Sequence, residues 1–368
     1  MRNPSRRNTT SHSFKGKVWK KGKFIKSEFF IENRRIKEGR RGKTIEASFI
    51  TPPFADPHIH GGWGHSFQEG EFEPLEERLR KEGIFFAIPT LQNDSPEHMK
   101  QIAVQFTQYK KENPRSIFPF LRIEGPFISS EKKGVQPARF IQKPSKELIE
   151  SLLSIEEIKL LTFAPEVKGV DGFVEKALKR GKIPSFGHSN AEFKDFLKFY
   201  IKGVRHMTHF PNAMRGLHHR EIGLLGAGLS LDDLHLEIIA DGIHNSFEFI
   251  SLLLKIKGPA FSIISDLIPP AFSSLEYFEG RKIVKDGMRL TAEGGTLAGG
   301  SATVPEQVKL LSRKGVKPEE LIRIASLNAP EFFGCPSPSL EEGESATFLL
   351  LDDEMSVRAV YTDGEKIR

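Results

Sequence analysis

The sequence predicts an α/β chain: a (β/α)8 barrel of the TIM type, with a small β-sandwich domain formed by both chain termini. Three observations predict it. From residue 53 onward, eight short runs rich in β-formers recur, most of them followed by a helical stretch. Strands alternating with helices imply a parallel sheet, and eight such units imply a closed barrel. The two chain ends read differently, as short strands separated by turn glycines.

Taken in order, residues 1–13 (MRNPSRRNTTSHS) are basic and poor in apolar residues, and are expected to be disordered. Residues 14–52 and 343–368 supply the short strands and are expected to pair as one small domain. The barrel is expected over residues 53–342, with strands at PPFADPHIH, GIFFAIPT, IFPFLRIEGP, IKLLTFAPE, IPSFGHS, VRHMTHF, HLEIIADG and FSIISDLIPP. Helices are expected at SPEHMKQIAVQFTQYKKE, PSKELIESLLS, DGFVEKALKRG, AEFKDFLKFYIKG and SFEFISLLLKIKG.

Composition narrows the class. A chain of 368 residues can bury a large core. Its one cysteine, Cys335, excludes an intrachain disulfide and an all-cysteine metal site. There is no apolar run long enough to span a bilayer and no apolar core of a secretory signal, so a cytoplasmic enzyme is expected. The net charge of +6 is uneven. Residues 1–43 hold 15 Lys and Arg against three Glu, which leaves the remainder at −6. The excess is a local basic arm on an acidic body, which argues against nucleic acid or a membrane as partner.

Polar residues of metal-binding type end the apolar runs. His58 and His60 end the first, Glu124 the third, His188 the fifth, His209 the sixth, Asp241 the seventh and Asp266 the eighth, and the fourth offers Glu166. In a strand, residues i and i+2 share a face roughly 7 Å apart, so His58 and His60 can point at one cation. A lone His-x-His pair is more often two half-buried strand histidines. Many sequence-distant strand ends, all carrying ligand-type side chains, argue for a site where a barrel places one, at the C-terminal edge.

The motifs FADPHIHGG, RIEGPFISSEKKGVQP, FGHSNA, MTHFPNAMRGLHHREIGLLGAG, IIADGIHNS, IISD and GGTLAGGSATV occur in this order. Over roughly residues 45–368 the chain resembles the N-acetylglucosamine-6-phosphate deacetylases of the amidohydrolase superfamily. The resemblance implies a homodimeric, metal-dependent hydrolase of amino-sugar metabolism. Its substrate would be N-acetyl-D-glucosamine 6-phosphate, with the galactosamine epimer or another amide as the alternative.

It also implies Glu124, His188 and His209 as ligands of the principal metal. One carboxylate and two imidazoles suit Zn2+ with a position open for water. His58 and His60, bridging to Glu124, would hold a secondary metal whose site lacks a third protein group of its own. Asp266 would be the catalytic acid–base, taking a proton from the attacking water and delivering it to the leaving amine. Val135, Gln136 and Leu297 would contact the sugar and its acetyl group. The phosphate would meet Arg220, His244 and the backbone N–H groups of Asn212 and Ala213, with Arg220 arriving across a dimer interface.

The chain departs from the family pattern at four places. Gln136 stands where the family often has His, Pro211 where it has a larger apolar residue, and Gly300 where it has Ser. LIPPAF follows Asp266 in place of a small-residue run. Gln136 can donate a hydrogen bond to the scissile carbonyl but cannot be cationic, so weaker carbonyl polarisation is expected.

Overall fold

The computed structural model describes residues 12–337 and 339–368. All eight apolar runs form strands: Phe54–Ile59, Ile84–Leu91, Leu121–Glu124, Ile158–Phe163, Ile183–Phe186, His206–Met207, His235–Ile238 and Phe261–Ile263. They line up in sequence order as one parallel eight-stranded sheet. Nearly every residue in them is buried, as strands covered on both faces require. The seam between the first and eighth strands is closed by individual bonds. Asp266 N–H donates to the His58 carbonyl (2.9 Å), and Ser265 donates from N and Oγ to the Asp56 carboxylate (3.0 and 2.5 Å).

The five expected helices form at Pro96–Glu112, Lys146–Leu153, Val170–Lys179, Phe193–Tyr200 and Phe247–Lys257. Ser95, Ser145 and Ser246 cap three of them through their side-chain oxygens. Phe72–Glu82, Gly223–Ser230 and Val304–Arg313 are further helices that the sequence reading did not single out. The first of these ends at Gly83, with φ of 88°. A Cβ there would sit 2.8 Å from the Leu349 side chain, so glycine also allows the terminal domain to pack close.

Strands from both chain ends form one seven-stranded sheet, ordered 365–366, 357–362, 348–351, 43–51, 12–20, 23–32 and 35–38. It folds over on itself. Phe14 packs against Tyr361 with ring centroids 4.9 Å apart although two strands intervene, a gap of about 14 Å in a flat sheet. The far strand returns to pair with residues 344–346 through Ile36 N–H to Glu344 O and Ala346 N–H to Arg34 O, both 2.9 Å. Of the basic stretch 1–13, residues 1–11 lie outside the described residues. His12 and Ser13 are a correction to it: they already belong to the first strand, because Ser13 Oγ is held by Arg41 N–H and bonds the Arg41 carbonyl (2.6 and 2.9 Å).

One element was not anticipated. Between the eighth strand and the helix at Val304–Arg313, residues Tyr277–Ala292 form a three-stranded antiparallel flap. Its Phe278 lies against His60, ring centroids 6.3 Å apart. The flap therefore covers one side of the strand ends where the ligand-type residues gather.

Candidate active site

Three of those strand-end residues have left-handed backbone: His188 (φ 45°), His209 (φ 33°) and Asp266 (φ 50°). For a residue other than glycine this costs about 1–3 kcal/mol, and it persists only where the surroundings hold it. Stitching between loops supplies the hold. Ser189 N–H bonds the Ala213 carbonyl and Arg215 N–H the Ser189 carbonyl, both at 2.9 Å, which ties the loop after the fifth strand to that after the sixth. The side chains turn out of the strand alternation into one cavity of about 530 Å3.

Two buried donor sets meet at its floor: Glu124 with His188 and His209, and His60 and Asp266 with His58 buried behind them. In the first, Glu124 Oε1 lies 3.1 Å from His209 Nε2 and 3.6 Å from His188 Nε2. In the second, Asp266 Oδ1 lies 3.3 Å from His58 Nε2 and 3.4 Å from His60 Nε2. Glu124 sits between the sets, 3.3 Å from His58 and 3.4 Å from His60. The sequence reading gave the second set only the two histidines and a bridge to Glu124. Its correction is Asp266, which seam closure brings against both histidines as a third group able to bind a cation.

Every one of the four imidazoles has Nδ1 against an oxygen acceptor. His60 faces the Thr90 carbonyl (3.1 Å), His188 that of Lys132 (2.8 Å), His209 that of Asn212 (3.1 Å), and His58 faces Glu237 Oε2 (3.2 Å). A neutral imidazole carries one N–H, so these acceptors place it on Nδ1 and leave the Nε2 lone pair facing the cavity. Two Nε2 pairs then meet at 3.0 Å (His188–His209) and 3.3 Å (His58–His60). Buried Glu124 Oε1 has no hydrogen-bond partner. Converging lone pairs and an orphaned carboxylate oxygen are what a divalent cation would satisfy, and imidazole with carboxylate is a donor set suited to one. The residues present fit a metal.

The electrostatics agree. Burial alone would neutralise His60, but the carboxylates of Asp266 and Glu124 outweigh it and raise its pKa to about 9. Burial opposes ionisation of Glu124, yet the surrounding histidines hold its carboxyl well below the usual range. Asp266 is lowered likewise against its burial, by His58 and His60. The two carboxylates stabilise positive charge at the floor, which in the absence of a cation is carried by a proton on His60.

Val135, Gln136, Asn212, Ala213, His244 and Leu297 all line the cavity. Gln136 has a different contact from the one expected. Its Nε2 donates to Glu124 Oε2 (2.8 Å) while its Oε1 accepts from Asn93 N–H (3.1 Å), so the amide braces the carboxylate. A second correction concerns Asn212, whose N–H closes a turn on the His209 carbonyl (2.8 Å) and is not free for phosphate. His244 Nδ1 bonds Asp241 Oδ2 at 2.8 Å, which makes Asp241 the support of His244. Glu166 caps the loop after the fifth strand, accepting from Ser189 Oγ and Asn190 N–H (2.7 and 2.6 Å). Arg220 is exposed, outside its own chain's cavity, with Nη1 2.9 Å from His219 Nε2. Gly300 has no room for the serine of the family pattern, because a Cβ would meet the Ser265 carbonyl oxygen at 2.0 Å.

Sequence reasoning missed Arg281, which the flap brings to the cavity wall, and Lys132 and Lys133 beside it. It also missed Arg122 and Glu237, a fully buried ion pair at 2.5 Å directly behind the histidines. The available signal was a charge inside each of two otherwise apolar runs, LRIE and HLEI.

Comparison with known proteins places this arrangement. The chain is 27% identical over 375 residues to human N-acetylglucosamine-6-phosphate deacetylase, covering 95% of this chain and 91% of that one. It is 28% identical over 333 residues to the enzyme of that name from Lysinibacillus sphaericus, covering 86% and 84%. The solved structure of the Thermotoga maritima N-acetylglucosamine-6-phosphate deacetylase superposes with a TM-score of 0.86 at 34% identity, over 96% of this chain and 98% of that one. The Amidohydrolase family model matches residues 49–367, and this chain is a member of that family.

Proposed function

We propose that the chain is a divalent-metal-dependent hydrolase that cleaves the acetamide of N-acetyl-D-glucosamine 6-phosphate, releasing acetate and D-glucosamine 6-phosphate. The observation that carries this reading is the convergence of two three-residue donor sets at the floor of one cavity that five of the six residues line. The full-length likeness to proteins named for this activity supports the choice of substrate. Glu124, His188 and His209 would hold the principal cation, Zn2+, and His58, His60 and Asp266 a second. Cations held there supply Lewis-acid chemistry, lowering the pKa of water and polarising a carbonyl oxygen.

The chain's own groups do the rest. Asp266 presents Oδ1 to His58 and His60, and no hydrogen bond among the described residues engages its Oδ2. That oxygen takes the proton of the attacking water and hands it to the departing nitrogen, so the sugar leaves as a neutral amine. Glu124 cannot share the task, because Gln136 occupies its Oε2. Leu297 meets the acetyl methyl, and His244 with the Ala213 N–H meets the phosphate. Arg220 lies outside its own cavity, which supports a homodimer in which Arg220 of the partner subunit completes the phosphate site. The reading suits a cytoplasmic enzyme of amino-sugar recycling. Among the described residues no helix is long and apolar enough to cross a membrane.

Acetate release from a panel of phosphorylated and unphosphorylated N-acetyl sugars tests the function, and turnover of unphosphorylated sugars alone would refute the phosphate assignment. Arg220→Ala is expected to lose about 1.5–3 kcal/mol in kcat/KM on the 6-phosphate and almost nothing on free N-acetylglucosamine. Equal losses on both sugars would place Arg220 in folding or assembly.

A further inference from the structure

Of the four imidazoles in the two donor sets, three give their Nδ1 proton to a backbone carbonyl, which no substitution can remove. His58 alone gives it to a side chain, the Glu237 carboxylate. Glu237 is fully buried and paired with fully buried Arg122 at 2.5 Å. A buried ion pair gains little stability over apolar residues of the same size, so its presence here calls for another account.

The contacts supply one. Glu237 Oε2 accepts from His58 Nδ1 and from the backbone N–H of His209, both at 3.2 Å. Its Oε1 takes the Arg122 guanidinium, whose Nη1 also reaches the Pro57 carbonyl and whose Nη2 reaches Thr208 Oγ1, both at 3.1 Å. One ion pair therefore grips residues 57–58 on the first strand and 208–209 just past the end of the sixth. Each grip includes a ligand, one from each donor set.

We propose that Glu237, backed by Arg122, is a positioning residue that holds His58 in the tautomer able to bind the second cation and fixes its distance from His209. The inference rests on the reading of His58, His60 and Asp266 as a cation site. With Glu237 ionised, Nδ1 carries the proton and Nε2 keeps its lone pair toward Asp266 and His60. In Glu237→Gln, the Arg122 guanidinium selects the amide oxygen and turns the NH2 group toward His58. That NH2 must then find an acceptor on Nδ1, which moves the proton to Nε2 and blocks coordination.

The test measures metal per chain and metal affinity on the purified full-length protein, using Zn2+ and Co2+ as probes. Glu237→Gln is expected to weaken the second cation by about tenfold or more while the first stays bound. His58 labelled with 15N should report the proton on Nδ1 in the wild type and on Nε2 in the variant. In a His58→Gln background, Glu237→Gln should cost no further metal, since the imidazole it positions is gone. Two cations bound with wild-type affinity in Glu237→Gln would overturn the inference alone, as would an equal further loss in the His58→Gln background. A wild type whose metal content is unchanged by His58→Gln would overturn the cation-site reading beneath it. Should Glu237→Gln fold poorly, the paired change Arg122→Met with Glu237→Leu removes both charges together, leaves His58 Nδ1 with no acceptor, and is expected to weaken the second cation likewise.

Discussion

At the C-terminal end of the barrel His60 lies between Asp266 and Glu124, and at the N-terminal end His235 lies flat on Phe332, ring centroids 4.2 Å apart. Both are buried ring nitrogens in one barrel, and they are driven in opposite directions. Two carboxylates overcome burial and raise His60 to about 9. Burial, with His206 as neighbour, lowers His235 to about 3 and keeps it neutral, and its Nε2 has no partner. Burial by itself does not decide what a histidine does; the groups facing its second nitrogen decide. At one end those groups are oxygens arranged for a cation, at the other they are phenyl rings.

The largest break of this contrast comes from exchanging the environments' natural residues. His209→Phe should abolish acetate release, a loss of more than about 10^3-fold, because it removes a donor from the principal set. His235→Phe should leave kcat unchanged, since phenyl suits a nitrogen that bonds nothing. Loss of activity in the second variant, measured beside the first, would erase the distinction between the ends. Asp266→Asn should also cost several orders of magnitude in kcat while the Glu124 set keeps its metal; a variant above about a tenth of wild-type kcat would remove the acid–base role.

A finer test concerns the brace on Glu124. Gln136→Leu frees Oε2 from its 2.8 Å donor and should weaken the principal cation about 10- to 100-fold, read by metal titration, with Gln136→His restoring part of it. If Gln136 instead acted only on substrate, metal affinity would stay and KM or kcat alone would change.

The smallest effect is on acid stability. His235 binds a proton in the unfolded chain below pH 6.5 but in the folded one only below about 3. The unfolded state therefore holds more protons between those values, and stability falls as pH drops through that window. From pH 7 to 5 the loss is of order 1–2 kcal/mol. Denaturant unfolding of His235→Phe should be flatter over this range than that of the wild type, and parallel curves would show that His235 does not titrate with folding.

Much of this was legible in the sequence, for reasons that separate it from what was not. The eight barrel strands lie in mainly apolar runs, because both faces of a parallel sheet are buried, so the hydrophobic pattern marks them. Glu124, His188 and His209 stand where those runs stop, so position marked them too. Asp266 was legible as a strand-end acid but not as a partner of His58, because that contact depends on closing a seam between residues 208 apart in the chain. Arg122 and Glu237 were passed over because each sits inside its run, and their pairing crosses the barrel. The flap at 277–292 escaped because its strands are short and largely exposed, leaving no apolar run to read. The Gln136 contact depends on the Asn93 backbone, which no spacing rule foretells.

The left-handed backbone at His188, His209 and Asp266 has a consequence for how such a chain drifts over generations. Glycine would relax each position, so at these three sites the substitution that eases the fold is the one that deletes the chemistry. A lineage released from selection for turnover, but still selected to stay folded, should lose these residues early and toward glycine.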